Sequence, residues 1–135
     1  MIFRIFVLAL LVSALSACAE PPYINLNNEQ LKTMLQLGTP VYDIRRPEEW
    51  QQTGVVADSQ LLTFVDDGGR MLPDFMHRFT SAAGKDDPVI LICRTGSRTS
   101  TLARYLVEHM GYTQVYNVRD GITRWIRDGQ PVTRL

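Results

Sequence analysis

The segment Val89-Ile90-Leu91-Ile92 is an unbroken apolar run that ends on a cysteine, Cys93. A strand that alternates apolar and polar residues can turn one face to water, but a strand with no alternation must be covered on both. That requirement selects a parallel sheet with helices above and below it, and the flanking segments supply the pieces. Asn27 to Leu37 carries Leu31, Met34 and Leu35 at helical spacing, with Asn27 as N-cap, Gln30 completing a capping box and Gly38 at the stop. Val41 to Ile44 reads as a strand, and Pro47-Glu48-Glu49-Trp50 opens a short helix with proline in its first turn and acids near its N-terminus. Ser59 to Phe64 suggests another strand. Asp66-Asp67-Gly68-Gly69 marks a turn, and Pro73 to Ala83 sets Phe75, Met76 and Phe79 on a helix that stops at Gly84. Beyond Cys93, Thr99 to Met110 predicts a helix with Leu102, Tyr105, Leu106 and Met110 on one face. Gln114 to Val118 gives a last strand, and Gly121 to Asp128 a last helix holding Ile122, Trp125 and Ile126. The expectation is an α/β fold: a small parallel-rich sheet flanked by helices on both faces.

The chain of 135 residues has room for one ordinary domain and no second. Fourteen basic side chains balance 14 acidic ones, which argues against a dedicated nucleic-acid binder and against an acidic disordered chain. Two cysteines, Cys18 and Cys93, are too few for a disulfide-built miniprotein and lack the spacing of a structural zinc site. Neither a metal nor an organic cofactor is implied. The N-terminus decides whether the two thiols could pair.

Residues 1–20 hold one cation at Arg4, an apolar stretch, and then small residues, the pattern of a secretion signal. As a helix its uncharged part reaches about 22 Å, short of a hydrocarbon core of roughly 30 Å, so a spanning anchor is the weaker reading. Leu15-Ser16-Ala17-Cys18 resembles the bacterial lipobox, whose cysteine is lipidated on sulfur and becomes the new N-terminus after cleavage. A plain signal peptide with a chance cysteine is the alternative. On the lipobox reading residues 1–17 are the signal peptide, 18–25 the lipidated N-terminus and a stiff Pro21-Pro22 tether, and 26–135 the domain. Cys18 is then a thioether and unavailable to Cys93. The expected location is the bacterial cell envelope, facing the periplasm. Ala19 stands where many inner-membrane lipoproteins carry aspartate, which favours the outer membrane.

In open α/β sheets, ligands bind beyond the carboxyl ends of the strands, where loops lead into helix N-termini. Cys93-Arg94-Thr95-Gly96-Ser97-Arg98-Thr99 lies at such an end. Converging backbone N–H groups, the helix dipole and two arginines favour an anion there, and Gly96 lets the loop curl. Such surroundings favour a thiolate nucleophile inside an anion cradle. An isolated cysteine at the end of an apolar strand is more often a small core residue, but core packing does not explain two arginines and a glycine within five positions. Residues 18–93 sum to −5, whereas residues 94–135 sum to +4.

With these residues in view, the chain resembles a single-domain rhodanese, a sulfurtransferase. Cys93 to Arg98 is similar to that family's six-residue active loop. Asp43-Ile44-Arg45-Arg46-Pro47-Glu48-Glu49 resembles its upstream Asp-x-Arg-x-Pro-Glu-Glu segment, and Gly121-Ile122 with Trp125, Gly129, Pro131 and Val132 its closing segment. The family's usual Gly-His-Ile-x-Gly-Ala is replaced by Thr53 to Asp58, without the histidine, and Asp120-Gly121 stands where Gly-Gly is frequent. The resemblance implies transfer of sulfane sulfur from thiosulfate or a similar anionic donor to a thiol or cyanide through a Cys93 persulfide. It casts Arg94, Thr95, Gly96, Ser97 and Arg98 as the donor-binding loop, and Asp43, Arg45 and Thr99 as partners behind it. Arg94 directly after the cysteine resembles the thiosulfate-preferring branch.

Two alternatives stand beside this expectation. A cysteine phosphatase or arsenate reductase on a related fold places its arginine six positions after the cysteine, whereas Thr99 occupies that position here and Arg98 comes one earlier. A non-catalytic sulfur carrier or interaction module of the envelope would keep the same loop. Asp66 to Arg70 reads as a solvated turn or as a lid. His77 and His109 lack metal-ligand company.

Overall fold

In the computed structural model, which describes residues 19–135, strands and helices alternate throughout. The elements are β1 (Ile24–Leu26), α1 (Asn28–Gln36), β2 (Val41–Asp43), α2 (Pro47–Thr53), β3 (Gln60–Leu61), α3 (Phe75–Ala82), β4 (Val89–Ile92), α4 (Ser97–Met110), β5 (Val115–Val118) and α5 (Gly121–Arg127). All five strands are parallel, in the order β1-β5-β4-β2-β3. The signal segment and Cys18 lie outside the described residues.

The central strand is β4, whose side chains divide with period two between the faces of the sheet. Val89, Leu91 and Cys93 join the core formed with Phe75 and Phe79 of α3 and Leu102 and Leu106 of α4. Ile90 and Ile92 join the opposite core, built with Leu31 of α1 and Ile122 and Trp125 of α5. The expected doubly covered strand is therefore observed, and Cys93 emerges on the α4 side. The first core is rich in aromatic rings, with Phe79 5.1 Å from Tyr42 and 5.6 Å from Tyr112 between ring centroids.

Local chemistry explains the starts of the first two helices. Asn27 and Gln30 exchange bonds of 2.9 and 2.8 Å between side chain and backbone N–H, the capping box that starts α1. At α2, Pro47 fills the first turn and the Glu49 carboxylate accepts the Arg46 N–H at 2.9 Å.

The structure departs from expectation in four places, one of them α3, which starts at Phe75 rather than Pro73. β1 lies partly in the segment read as a tether: Ile24 and Asn25 pair with Tyr116 and Asn117 of β5. Three residues are too few to display an alternating pattern, and Ile24 is exposed at the sheet's edge. The stretch Ser59 to Phe64 is a strand only at Gln60–Leu61, beyond which it follows β2 through Leu62 N–H to the Asp43 carbonyl and Phe64 N–H to that of Ile44. α4 starts at Ser97 rather than Thr99, because Gly96, left-handed at φ 96°, turns the chain into the helix two residues earlier.

Candidate active site

β4 ends beneath the first turn of α4, and the turn between them is built around sulfur. The Cys93 Sγ accepts the Gly96 N–H at 3.2 Å and lies 3.3 Å from the Thr99 hydroxyl. That hydroxyl also sits 3.2 Å from the Gly96 carbonyl oxygen. Its single proton can turn to the carbonyl while the thiol donates to oxygen, or to the sulfur once it is a thiolate, so both states are hydrogen-bonded. The first N–H groups of α4, on Ser97, Arg98 and Thr99, have no carbonyl within the helix to bond and favour an anion beside them. Cys93 is fully buried, so the site admits only a reactant that presents a small, bare atom to the sulfur.

The loop is clamped from below by backbone contacts that only glycine permits. A Cβ on Gly96 would run into the Arg119 carbonyl oxygen, and one on Gly121, at φ 67°, into the Arg94 carbonyl. The start of α5 meets the loop directly: Ile122 N–H donates to the Cys93 carbonyl at 2.9 Å and Thr123 N–H to that of Arg94 at 3.1 Å.

The two loop arginines have different surroundings. Arg98 is half-buried and forked onto Glu49, with bonds of 2.8 and 2.7 Å. Burial pushes the Glu49 carboxyl up, but the Arg98 bonds and the Arg46 N–H more than reverse this and hold it at about 2. Arg94 is exposed, and among the described residues it has no carboxylate partner. Of the two expected donor-binding arginines, then, the structure leaves Arg94 open and ties Arg98 to the scaffold. Thr95 and Ser97 are exposed on the loop, and Gly96 is buried under it.

Asp43 and Arg45 form a buried pair at the end of β2. Arg45 donates to Asp43 from Nε at 3.0 Å and from Nη2 at 2.8 Å, and Trp50 Nε1 adds a bond to Asp43 at 3.0 Å. The rest of the guanidinium reaches Thr53 Oγ1 at 2.8 Å and the Gly54 carbonyl at 3.0 Å. The pair therefore fastens α2 to the sheet, and α2 carries Glu49 to Arg98. Glu49 is the functional residue the sequence alone did not assign. Its signal was local, an acid in the third position of a helix opened by proline, while its partner lies 49 residues away. Among the described residues, no group of histidine, cysteine and acidic side chains is arranged to hold a metal ion. A cavity of about 430 Å³ lined by Leu35, Val41, Trp125 and Pro131 includes no residue of the Cys93–Arg98 loop.

A parallel sheet whose central strand delivers a buried cysteine into an N–H-lined loop defines a class of domain, a cysteine-based anion site on an α/β scaffold. Residues 27–128 match the family described as the rhodanese-like domain, and the chain belongs to that family. A sulfurtransferase of Allochromatium vinosum is 36% identical over 90 residues, covering 67% of this chain and 74% of the relative. The thiosulfate sulfurtransferase GlpE of Stutzerimonas stutzeri is 32% identical over 97 residues, covering 72% and 79%. Among solved structures, a rhodanese-related protein from Thermoplasma volcanium superposes with a TM-score of 0.63 at 25% identity, covering 82% of this chain and 98% of that one. At the level of the family, the chain is a rhodanese-like sulfurtransferase homologue, which implies a sulfur donor and a thiol acceptor.

Proposed function

We propose that the protein is a thiosulfate-type sulfurtransferase that works through a persulfide on Cys93. The observation that carries this reading is the buried Sγ held by the Gly96 N–H at 3.2 Å and the Thr99 hydroxyl at 3.3 Å. Arg94 beside it is free to attract a dianion. The Cys93 thiolate forms a bond to the outer sulfur of thiosulfate, the original S–S bond breaks, and sulfite leaves with the bonding pair. The outer sulfur, now negative, is stabilised by loop N–H groups at the start of α4. A thiol or, in assays, cyanide then takes that sulfur and returns the electron pair to Sγ, a two-step covalent cycle with ping-pong kinetics. Burial of Cys93 favours a donor with a small terminal sulfur over a bulky phosphate ester. The capture of Arg98 by Glu49 removes the guanidinium that a phosphatase would turn on its substrate.

Intact mass after mixing with thiosulfate should show one added sulfur, and thiosulfate with cyanide should turn over. A carrier would load once without turnover. A Cys93→Ser variant as active as the parent, or an added phosphate or arsenic species in place of sulfur, refutes the reading. We also propose that lipid on Cys18 tethers the domain to the envelope membrane on its periplasmic side, in the outer membrane where one exists. The support is Leu15-Ser16-Ala17-Cys18 followed by Ala19. A Cys18→Ala variant should leave the detergent-extracted membrane fraction, and one that stays membrane-bound counts against the lipid.

A further inference from the structure

Two of the shallow basins that adjoin the active loop meet at Thr123. The larger, about 310 Å³, is bounded by Arg94, Gln52, Thr53 and Ile126 above the buried Arg45 and Glu49. The smaller, about 230 Å³, is bounded by Thr95, Asp120, Arg124 and Arg127. Their charges can be assigned pair by pair. In the first, Arg45 is held by Asp43 and Glu49 by Arg98, which leaves Arg94. In the second, Asp120 holds Arg119 at 3.1 Å and Asp128 holds Arg124 at 3.0 Å, which leaves Arg127. Asp128 also accepts a bond from Asn28 at 2.8 Å. Among the described residues, each basin thus contains one guanidinium without a carboxylate within salt-bridge distance, and both are exposed. Across the loop the charge is spent differently, because Arg46 lies against both Glu48 and Asp67.

We propose that Arg94 and Arg127 hold the two carboxylates of a small peptide-like thiol, and that these basins are the site of the sulfur acceptor. The proposal rests on the persulfide reading above. For thiosulfate the loop N–H groups and Arg94 suffice, and Arg127, which lines the other basin, is left without a part in donor binding. A peptide thiol of two or three residues needs about the space of the joined basins, which falls in the range of ordinary small-molecule sites. Ile126, 40% exposed, offers an apolar wall to the peptide, and Thr95 and Thr123 line its path to the loop. With the carboxylates so held, the acceptor's thiolate, its proton already lost to solvent, attacks the outer sulfur of the Cys93 persulfide. The bond from that sulfur to Sγ breaks with its electron pair left on Sγ. The acceptor departs as its own persulfide and Cys93 returns to thiolate, with no other oxidant or reductant.

Binding and transfer test this separately. S-methylglutathione, a dicarboxylate thioether with no thiol to react, should bind the wild-type protein saturably in an NMR titration and shift the amides of Thr95 and Thr123. Arg127→Gln and Arg94→Gln should each weaken that binding roughly two- to fivefold, the scale of one exposed ion pair. Added salt should weaken it further in the wild type. In the transfer arm, persulfide-loaded protein is discharged with glutathione and with neutral 2-mercaptoethanol, and the ratio of the two rates should fall in Arg127→Gln. No wild-type binding overturns the proposal. So does binding that Arg127→Gln leaves unchanged, or preference for a longer acidic peptide that excludes S-methylglutathione. If the protein binds the thioether but never loads sulfur, the persulfide reading fails while the dicarboxylate site stands.

Discussion

Glu49→Gln tests how the active loop is held, because it removes one charge and little else. The carboxylate receives two bonds from Arg98, at 2.7 and 2.8 Å, and one from the Arg46 N–H at 2.9 Å. Its pKa is lowered from 4.5 to about 2, since the Arg98 and Arg46 bonds outweigh the opposing effect of burial. A carboxyl depressed in the folded state contributes its full stability above its unfolded pKa and loses it as pH falls toward the folded one. At about 1.4 kcal/mol per pH unit, the gap sets a ceiling of about 3 kcal/mol. The side chains of Arg98 and Glu49 keep 21% and 11% of their exposure, so solvent screening reduces the expectation. About 1–2 kcal/mol is a realistic share. Glutamine preserves the shape and the bond from Arg46 but not the charge. Urea unfolding at pH 7 should therefore show the variant about 1–2 kcal/mol less stable than wild type. The difference should shrink from about pH 4.5 downward and close toward pH 2. A stability gap that is the same at pH 7 and pH 3 refutes the ion-pair account and assigns the loss to packing.

Three further substitutions probe the parts of the same frame. Gly96→Ala should cost about 1–3 kcal/mol and abolish sulfur loading by mass, because a left-handed residue there acquires a Cβ against the Arg119 carbonyl; normal loading would refute the glycine requirement. Thr99→Val, which removes one of the two hydrogen bonds at the sulfur, should lower kcat/KM roughly tenfold, with Thr99→Ser restoring it. Arg45→Met should destabilise by about 3–5 kcal/mol by stranding buried Asp43. Adding Asp43→Asn should recover part of that loss, and a double variant no better than the single would refute the pairing.

The central architecture was legible because β4 has no alternation, so its burial on both faces follows from the sequence alone. The loop after it was legible for a similar reason: cysteine, arginines and glycine within six residues are local, and their convergence needs only a strand followed by a helix. What failed to show was whatever depends on pairing at a distance. β1 is a strand because β5 offers it three partners, and nothing within Ile24–Leu26 announces them. β3 is regular over only two residues because it is an edge strand with β2 as its single neighbour, and past Leu61 it keeps only the bonds of Leu62 and Phe64 to the Asp43 and Ile44 carbonyls.

Arg98 shows the same limit on chemistry. In sequence it stands beside Arg94 as a second cation for the donor, yet the fold brings Glu49 against it from α2. A charge count cannot distinguish a guanidinium aimed at solvent from one consumed by the scaffold, and the two have opposite consequences for an incoming anion. Pairing Asp43 with Arg45 and Glu49 with Arg98 stiffens the frame beneath the loop while subtracting two positive charges from its field. The cationic excess of residues 94–135 therefore does not spread evenly around Cys93. Within it, the unpaired Arg94 and Arg127 face the basins on the α5 side of the loop. An anion approaching the buried sulfur is steered from that side, and salt should slow its arrival more than it slows the chemistry that follows.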